Sequence, residues 1–200
     1  MGQNFTNFAF TPGVRHAQEH YGSRAAGERM ENGPDRFRLS DEERDFIGSL
    51  DFFFLATVGS NGWPYVQYRG GAKGFLRVLD DQTLGFADFR GNRQFVSVGN
   101  INDGGRVALI LLDFPRRERL KIWGTARVED AADKPELAAR LSDPDYAGWV
   151  ERLVTISVQA FDWNCHQHIR PRYTEEEVVA DIEHFLSLVA PEEGCERCDS

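Results

Sequence analysis

The sequence predicts an α+β fold dominated by β-structure, in which antiparallel strands form a closed or nearly closed barrel. Three observations predict it. Six or seven strand-like runs follow one another through short turns in the middle of the chain. One helical segment interrupts the first strands. Two polar helical regions flank the whole. Meandering antiparallel strands of this kind favour a barrel, whereas a doubly wound parallel sheet needs a helix after almost every strand.

The elements follow in order. Residues 11–33, "TPGVRHAQEHYGSRAAGERMENG", read as helix from a Thr-Pro start to an Asn32-Gly33 stop. "LSDEERDFIGSL" places Ser40 three residues before Glu43, the spacing of a capping box, with Phe46, Ile47 and Leu50 on one face. "DFFFLATVGSNGWPYVQYRG" is two strands joined at Ser60-Asn61-Gly62, a hairpin signal. "GFLRVLDDQTLGFADF" repeats it with Asp80-Asp81 as the turn, and Gly70-Gly71 marks a bend. A short helix is expected over about 92–101, with Asn92 as its N-cap. "RVALILLDF" and "ERLKIWGTARVED" are joined through Pro115-Arg116-Arg117. The first of these is apolar on both faces, which implies cover on both sides by a helix or a partner subunit. A polar helix near 133–142, the strand "RLVTISVQAFDW" and a helix capped by Thr174 and Glu177 complete the chain.

Composition sets limits. The 200 residues suit one domain, and 15 Phe and four Trp supply bulk for a core. A formal net charge of −9 excludes a general nucleic-acid binder, whose phosphate contacts need a basic face. No apolar run has the length of a membrane span. "MGQNFT" matches a myristoylation pattern and is read as a polar terminus. The cysteines Cys165, Cys195 and Cys198 are odd in number, which with no signal-like start leads us to expect a reducing, cytoplasmic setting. Cys195-x-x-Cys198 lacks the second pair that a zinc site needs and is read as solvated tail. Cys165, His166 and His168 lack helical ligand spacing and are read as a polar loop, so no metal site is expected.

One stretch of this acidic chain gathers cations at a helix start. In "GFADFRGNRQFVSVGN", residues 85–100, a strand ends, Gly91 turns, and Arg90 and Arg93 flank Asn92. Free N–H groups and a partial positive charge at a helix N-terminus, with two guanidinium groups beside them, suit a phosphate; surface ion pairing is the plainer alternative. Gln67 and Arg69 share one strand face, as do Arg117, Arg119 and Lys121 on another.

Together "FFLATVGSNGWPYVQYRGGAKGFLRVLD", "LGFADFRGNRQFVSVGNI", "RVALILLDFPRRERLKIWGTARV" and "DWNCHQHIRPRYT" resemble the pyridoxamine 5′-phosphate oxidase-like flavoproteins, in particular a branch with an extra N-terminal helical region. The resemblance spans about residues 10–185. It implies an antiparallel split β-barrel of the FMN-binding type with flanking N- and C-terminal helices, divided as helical extension 1–50, barrel 51–190 and tail 191–200. It also implies a homodimer with FMN between the subunits and a small-molecule substrate or electron donor. The strand with Gln67, Tyr68 and Arg69 resembles the one along the isoalloxazine ring and ribityl chain, and Phe86, Ala87 and Asp88 resemble the next strand. Gly91, Asn92 and Arg93 match the phosphate-holding turn. Arg119 and Lys121 fall on the strand that the second subunit contributes, and Trp163 and Arg172 resemble the pair that closes over flavin and substrate. Arg69 or Arg119 is expected to stabilise the anionic reduced flavin. No residue is singled out as acid, base or nucleophile. "QYRGGAKG" departs from the oxidases' longer basic run, and "HQHIRPR" only echoes their substrate-phosphate pair. The resemblance therefore implies an FMN-dependent oxidoreductase on an unidentified small molecule, not the vitamin oxidase. A flavin carrier without turnover and a deazaflavin or haem binder are the alternatives.

Overall fold

The computed structural model describes residues 4–164 and 167–189. Residues 165 and 166, the Cys195/Cys198 tail and the first three residues lie outside that range, and with them the expectations placed on Cys165, His166, the tail thiols and the start of the acylation pattern. The N-terminal region is a set of short helices: α1 (Thr6–Ala9), α2 (Pro12–His20), α3 (Arg24–Glu31) and α4 (Asp41–Gly48). The Thr11-Pro12 start is observed, with the Val14 N–H donating to Thr11 Oγ1 at 3.4 Å. The helix expected across 11–33 is divided in two, because Gly22 adopts φ +73°, a left-handed conformation that glycine takes without steric cost. Arg24 then ties α3 back to α2 through Gln18 and to Glu31, which also takes Arg15. Asn4 fastens the start of the chain to the end of α3, donating to the Met30 carbonyl at 2.8 Å. In α4 the capping box forms, the Ser40 N–H donating to Glu43 Oε2 at 2.9 Å, and Phe46 and Ile47 are buried.

Seven antiparallel strands make one sheet: β1 (Phe52–Val58), β2 (Pro64–Gly70), β3 (Arg77–Val78), β4 (Thr83–Phe89), β5 (Arg106–Asp113), β6 (Glu118–Asp130) and β7 (Val150–Asn164), in the order β2-β1-β5-β6-β7-β4-β3. The alternation along β1 turns Phe53, Leu55 and Thr57 inward. Phe53 and Leu55 meet Leu109, Leu111, Leu120, Ile122 and Ile156 in one core, where each fully buried aliphatic side chain contributes roughly 1.5–3 kcal/mol. Both hairpin turns fall where expected. Gly62 takes φ +83°, and the Gln82 N–H donates to Asp80 Oδ1 at 2.8 Å. The outer face of β5 (Ala108, Ile110, Leu112) is half-buried, not covered. In β6 the register shifts between Trp123 and Gly124, where a Cβ on Gly124 would stand 2.7 Å from the Ser157 carbonyl oxygen.

Three helices complete the description. α5 (Val96–Gly104) joins β4 to β5, α6 (Pro135–Leu141) covers a small cluster of Ala87, Leu141 and Leu153, and α7 (Glu175–Val189) follows β7. Thr174 and Glu177 exchange the expected capping bonds at the start of α7. Although the ladder is open at its ends, β4 meets β2 and β1 through side chains: Arg69 of β2 pairs with Asp88, and Phe53 of β1 packs edge-on against Phe86 at 5.4 Å.

Candidate functional site

A cleft of about 180 Å³ opens where β2, the end of β4, the loop 90–95, the start of α5 and the start of β7 converge. Asp88 is its electrostatic centre. It is 4% exposed and receives Arg69 at 2.5 Å on one oxygen and Arg152 at 2.8 Å on the other. Burial alone lowers the pKa of the Arg152 guanidinium, but Asp88 and Glu151 outweigh it and hold it above the ordinary arginine value. Arg152 also lies over the Phe95 ring, 4.9 Å from its centroid, and Arg69 over Phe86 at 5.7 Å. Among the described residues the buried Arg69 Nε has no hydrogen-bond partner.

The loop corrects one expectation. α5 begins at Val96, not near Asn92. Arg93 and Phe95 take φ +59° and +54°, left-handed values uncommon outside glycine, and Asn92 Oδ1 is used locally by the Gln94 N–H at 3.2 Å. The Arg90 N–H holds the Trp149 carbonyl at 2.8 Å, while its guanidinium sits 3.6 Å from Glu151. The chain thus reaches the helix four residues later, and Val96, Ser97 and Val98, whose N–H groups have no intrahelical partner, line the cleft. Ser97, 2% exposed, donates to Gln67 Oε1 at 2.7 Å, and Asn100 binds Thr57 at 2.9 Å, seating α5 on β1. Among the described residues Arg93 has no carboxylate partner, and its guanidinium lies over the Phe95 ring, 5.8 Å from the centroid.

Of the residues named from sequence, Gln67, Arg69, Asp88, Gly91, Asn92 and Arg93 come together in this cleft. The others do not line it. Tyr68 points to the opposite face of β2 and stacks on Phe52 at 5.7 Å. Phe86 belongs to the main core and Ala87 to the cluster under α6. Arg119 lies opposite Leu112 on β5, its buried Nε without a partner among the described residues. Lys121 pairs with Asp162 at 3.6 Å, whose pKa burial pushes up although Lys121 opposes it. Trp163 donates its indole N–H to Glu43 at 2.8 Å and packs edge-on against Phe46 at 4.7 Å, turned toward α4. Arg172 lies over Phe114 at 5.0 Å, on the wall of a separate cavity of about 530 Å³. Sequence reasoning missed Arg152, Ser97 and Phe95. A single cation opening an otherwise apolar strand was the available signal for Arg152. Ser97 and Phe95 carried none.

Among the described residues no cluster of three or more His, Cys, Asp or Glu is placed to hold a metal ion, and no helix is long and apolar enough to cross a membrane. The cleft offers guanidinium, amide and backbone donors converging on one small space, an arrangement that binds an anion.

No curated protein matches the chain. Solved structures do. HupZ of Group A Streptococcus is 19% identical, over 68% of this chain and 99% of that one, with a TM-score of 0.48. A Clostridium acetobutylicum protein related to a general stress protein, of the pyridoxinephosphate oxidase family, is 16% identical over 69% and 95%, with a TM-score of 0.43. An FMN-binding protein from Syntrophomonas wolfei is 14% identical over 62% and 85%, with a TM-score of 0.48. The sequence profile described as pyridoxamine 5′-phosphate oxidase matches residues 39–166, which take in every strand and the whole cleft. By that match the chain belongs to the pyridoxamine 5′-phosphate oxidase family.

Proposed function

We propose that this protein is an FMN-dependent oxidoreductase acting on a small molecule, built as a split barrel and working as a homodimer with flavin between the subunits. The observation that carries the reading is the cleft at the start of α5. It combines, among the described residues, an Arg93 guanidinium with no carboxylate partner, a buried Arg69 Nε with no acceptor, and the N–H groups of a helix start. These residues fit a phosphate monoester: it would accept from all three kinds of donor and satisfy the orphaned Nε. Asn92 and Gly91 would hold the turn, and Gln67 and Asp88 would line the approach. The chemistry that FMN supplies when bound is hydride and electron transfer at its ring.

The dimer enters through size. About 180 Å³ is less than the roughly 300–1,000 Å³ of pockets that enclose a whole organic ligand. One chain therefore accounts for the phosphate end, and the ring needs further walls. Arg119, Lys121, Trp163 and Arg172 stand away from the cleft of their own chain, which suits their arriving from a second copy.

The test is the absorbance of the purified protein and the mass of its extracted ligand. Two visible flavin bands and the mass of FMN are expected; a colourless preparation that does not take up added FMN overturns the reading. A single band near the blue edge identifies a deazaflavin, and a Soret peak a haem. Bleaching of bound flavin by NADH or NADPH separates an enzyme from a carrier. Arg93→Ala is expected to weaken FMN binding far more than riboflavin binding, because only FMN carries the dianion; equal losses would show that Arg93 does not reach the phosphate.

A further inference from the structure

Three side chains of the cleft have already engaged acceptor oxygens within the protein. Gln67 Oε1 receives the Ser97 hydroxyl at 2.7 Å. The two oxygens of Asp88 receive Arg69 and Arg152. Asn92 Oδ1 receives the Gln94 N–H at 3.2 Å. The other end of each of the two amides, the NH₂ group of Gln67 and of Asn92, is a donor, and the Arg93 guanidinium lies beside them on the cleft wall. A glutamine amide is nearly symmetric in shape, so packing does not decide which end faces a ligand; its hydrogen-bond partner does. Here the partner is Ser97, in the first turn of α5, where the partial positive charge of the helix end favours an oxygen facing it.

We propose that Ser97 is a positioning residue that holds the Gln67 amide with its NH₂ toward the cleft, so that the site selects ligands presenting acceptors along one edge as well as on an anionic tail. The proposal rests on the flavin reading for the identity of that ligand, a ring with a carbonyl-bearing edge joined to a phosphate, and on the geometry alone for the role of Ser97. A ligand carrying a donor on that edge would set N–H against N–H and leave both unpaired, which buried sites reject strongly.

The test titrates the full-length protein with FMN and with riboflavin, in wild type, Ser97→Ala and Ser97→Thr. Ser97→Ala is expected to weaken both flavins by the same factor, about tenfold, because the edge and not the tail is affected; Ser97→Thr, which keeps the hydroxyl, restores both. Unchanged riboflavin affinity in Ser97→Ala, or a loss confined to FMN, overturns the proposal. A second readout needs no ligand. The side-chain amide signals of Gln67 in a ¹⁵N–¹H spectrum should shift in Ser97→Ala and return in Ser97→Thr; signals that stay in place in the alanine variant also overturn it. Failure of the wild type to bind any flavin refutes the flavin reading, and the amide signals still decide whether Ser97 orients Gln67.

Discussion

At Asp88 two cations meet one carboxylate with 4% of its surface exposed, while Arg69 and Arg152 are themselves 15% and 14% exposed. Removing one member of so buried a set leaves charges that water cannot reach. Asp88→Ala is therefore expected to cost about 3 kcal/mol, read as a lower urea midpoint at unchanged slope. The neighbouring Arg90–Glu151 pair is the internal control. Arg90 is 55% exposed and its pair spans 3.6 Å, so Arg90→Ala should cost less than about 1 kcal/mol. Equal costs for the two substitutions would show that Asp88 is solvated in solution and does not organise the cleft. The contrast also bears on function. Asp88 consumes part of the positive charge around it, drawing Arg69 across the gap between β2 and β4 and holding its ladder partner Arg152 on β7, while Arg93 has no carboxylate partner among the described residues.

Elements are joined in this molecule by single polar side chains. Glu43 belongs to the capping box of α4 and also receives the indole N–H of Trp163 on β7. Burial raises its carboxyl pKa, but the bonds from Ser40 and Trp163 prevail and hold it below the ordinary value. A depressed carboxyl stabilises the fold above its unfolded pKa of about 4.3, and that contribution is lost as pH falls through the lower folded value. Glu43→Gln should thus lower the melting temperature at pH 7 and flatten its decline below pH 4 to 5; an unchanged acid limb would detach Glu43 from that transition. At the bulge in β6, Gly124→Ala drives a Cβ into the Ser157 carbonyl and should cost roughly 1–3 kcal/mol in thermal unfolding; a neutral result would mean that the strand pair relaxes there. These elements also show what was legible. Hairpins at Asn61-Gly62 and Asp80-Asp81 and boxes at Ser40 and Thr174 are written within four residues, so the sequence displays them. The start of α5 is not, because Arg93 and Phe95 are left-handed without being glycine, and the loop is braced from far along the chain, at Arg90 by Trp149 and at Phe95 by Arg152. Arg152 meets Asp88 across 64 residues, a pairing that no local pattern announces, whereas Gln67 and Arg69 were readable from strand alternation alone.

For the molecule as a whole, the outer face of the sheet is left incompletely covered. Val66 and Tyr68 on the edge strand β2 are 60% and 58% exposed, beside the half-buried Phe52 and Phe54 of β1 and Ala108, Ile110 and Leu112 of β5. Exposed apolar surface of this continuity marks an interaction face, and in the dimer we propose it meets a second copy. Two-fold symmetry then builds each flavin site from the cleft of one chain and the β6 strand of the other. That division makes a prediction that a site within one chain does not share. Arg93→Ala damages the cleft half and Arg119→Ala the strand half, and each variant alone should lose flavin. When the two are unfolded together and refolded, half the dimers are mixed. In each mixed dimer one site carries both substitutions and the other carries neither, so flavin retention should recover to about one site in four of the wild-type level. The recovery is counted by flavin absorbance per chain after gel filtration. Recovery absent from a preparation that sedimentation shows to be dimeric would place Arg93 and Arg119 in the same chain's site, or Arg119 outside the site altogether. A monomeric wild type would remove the shared site itself.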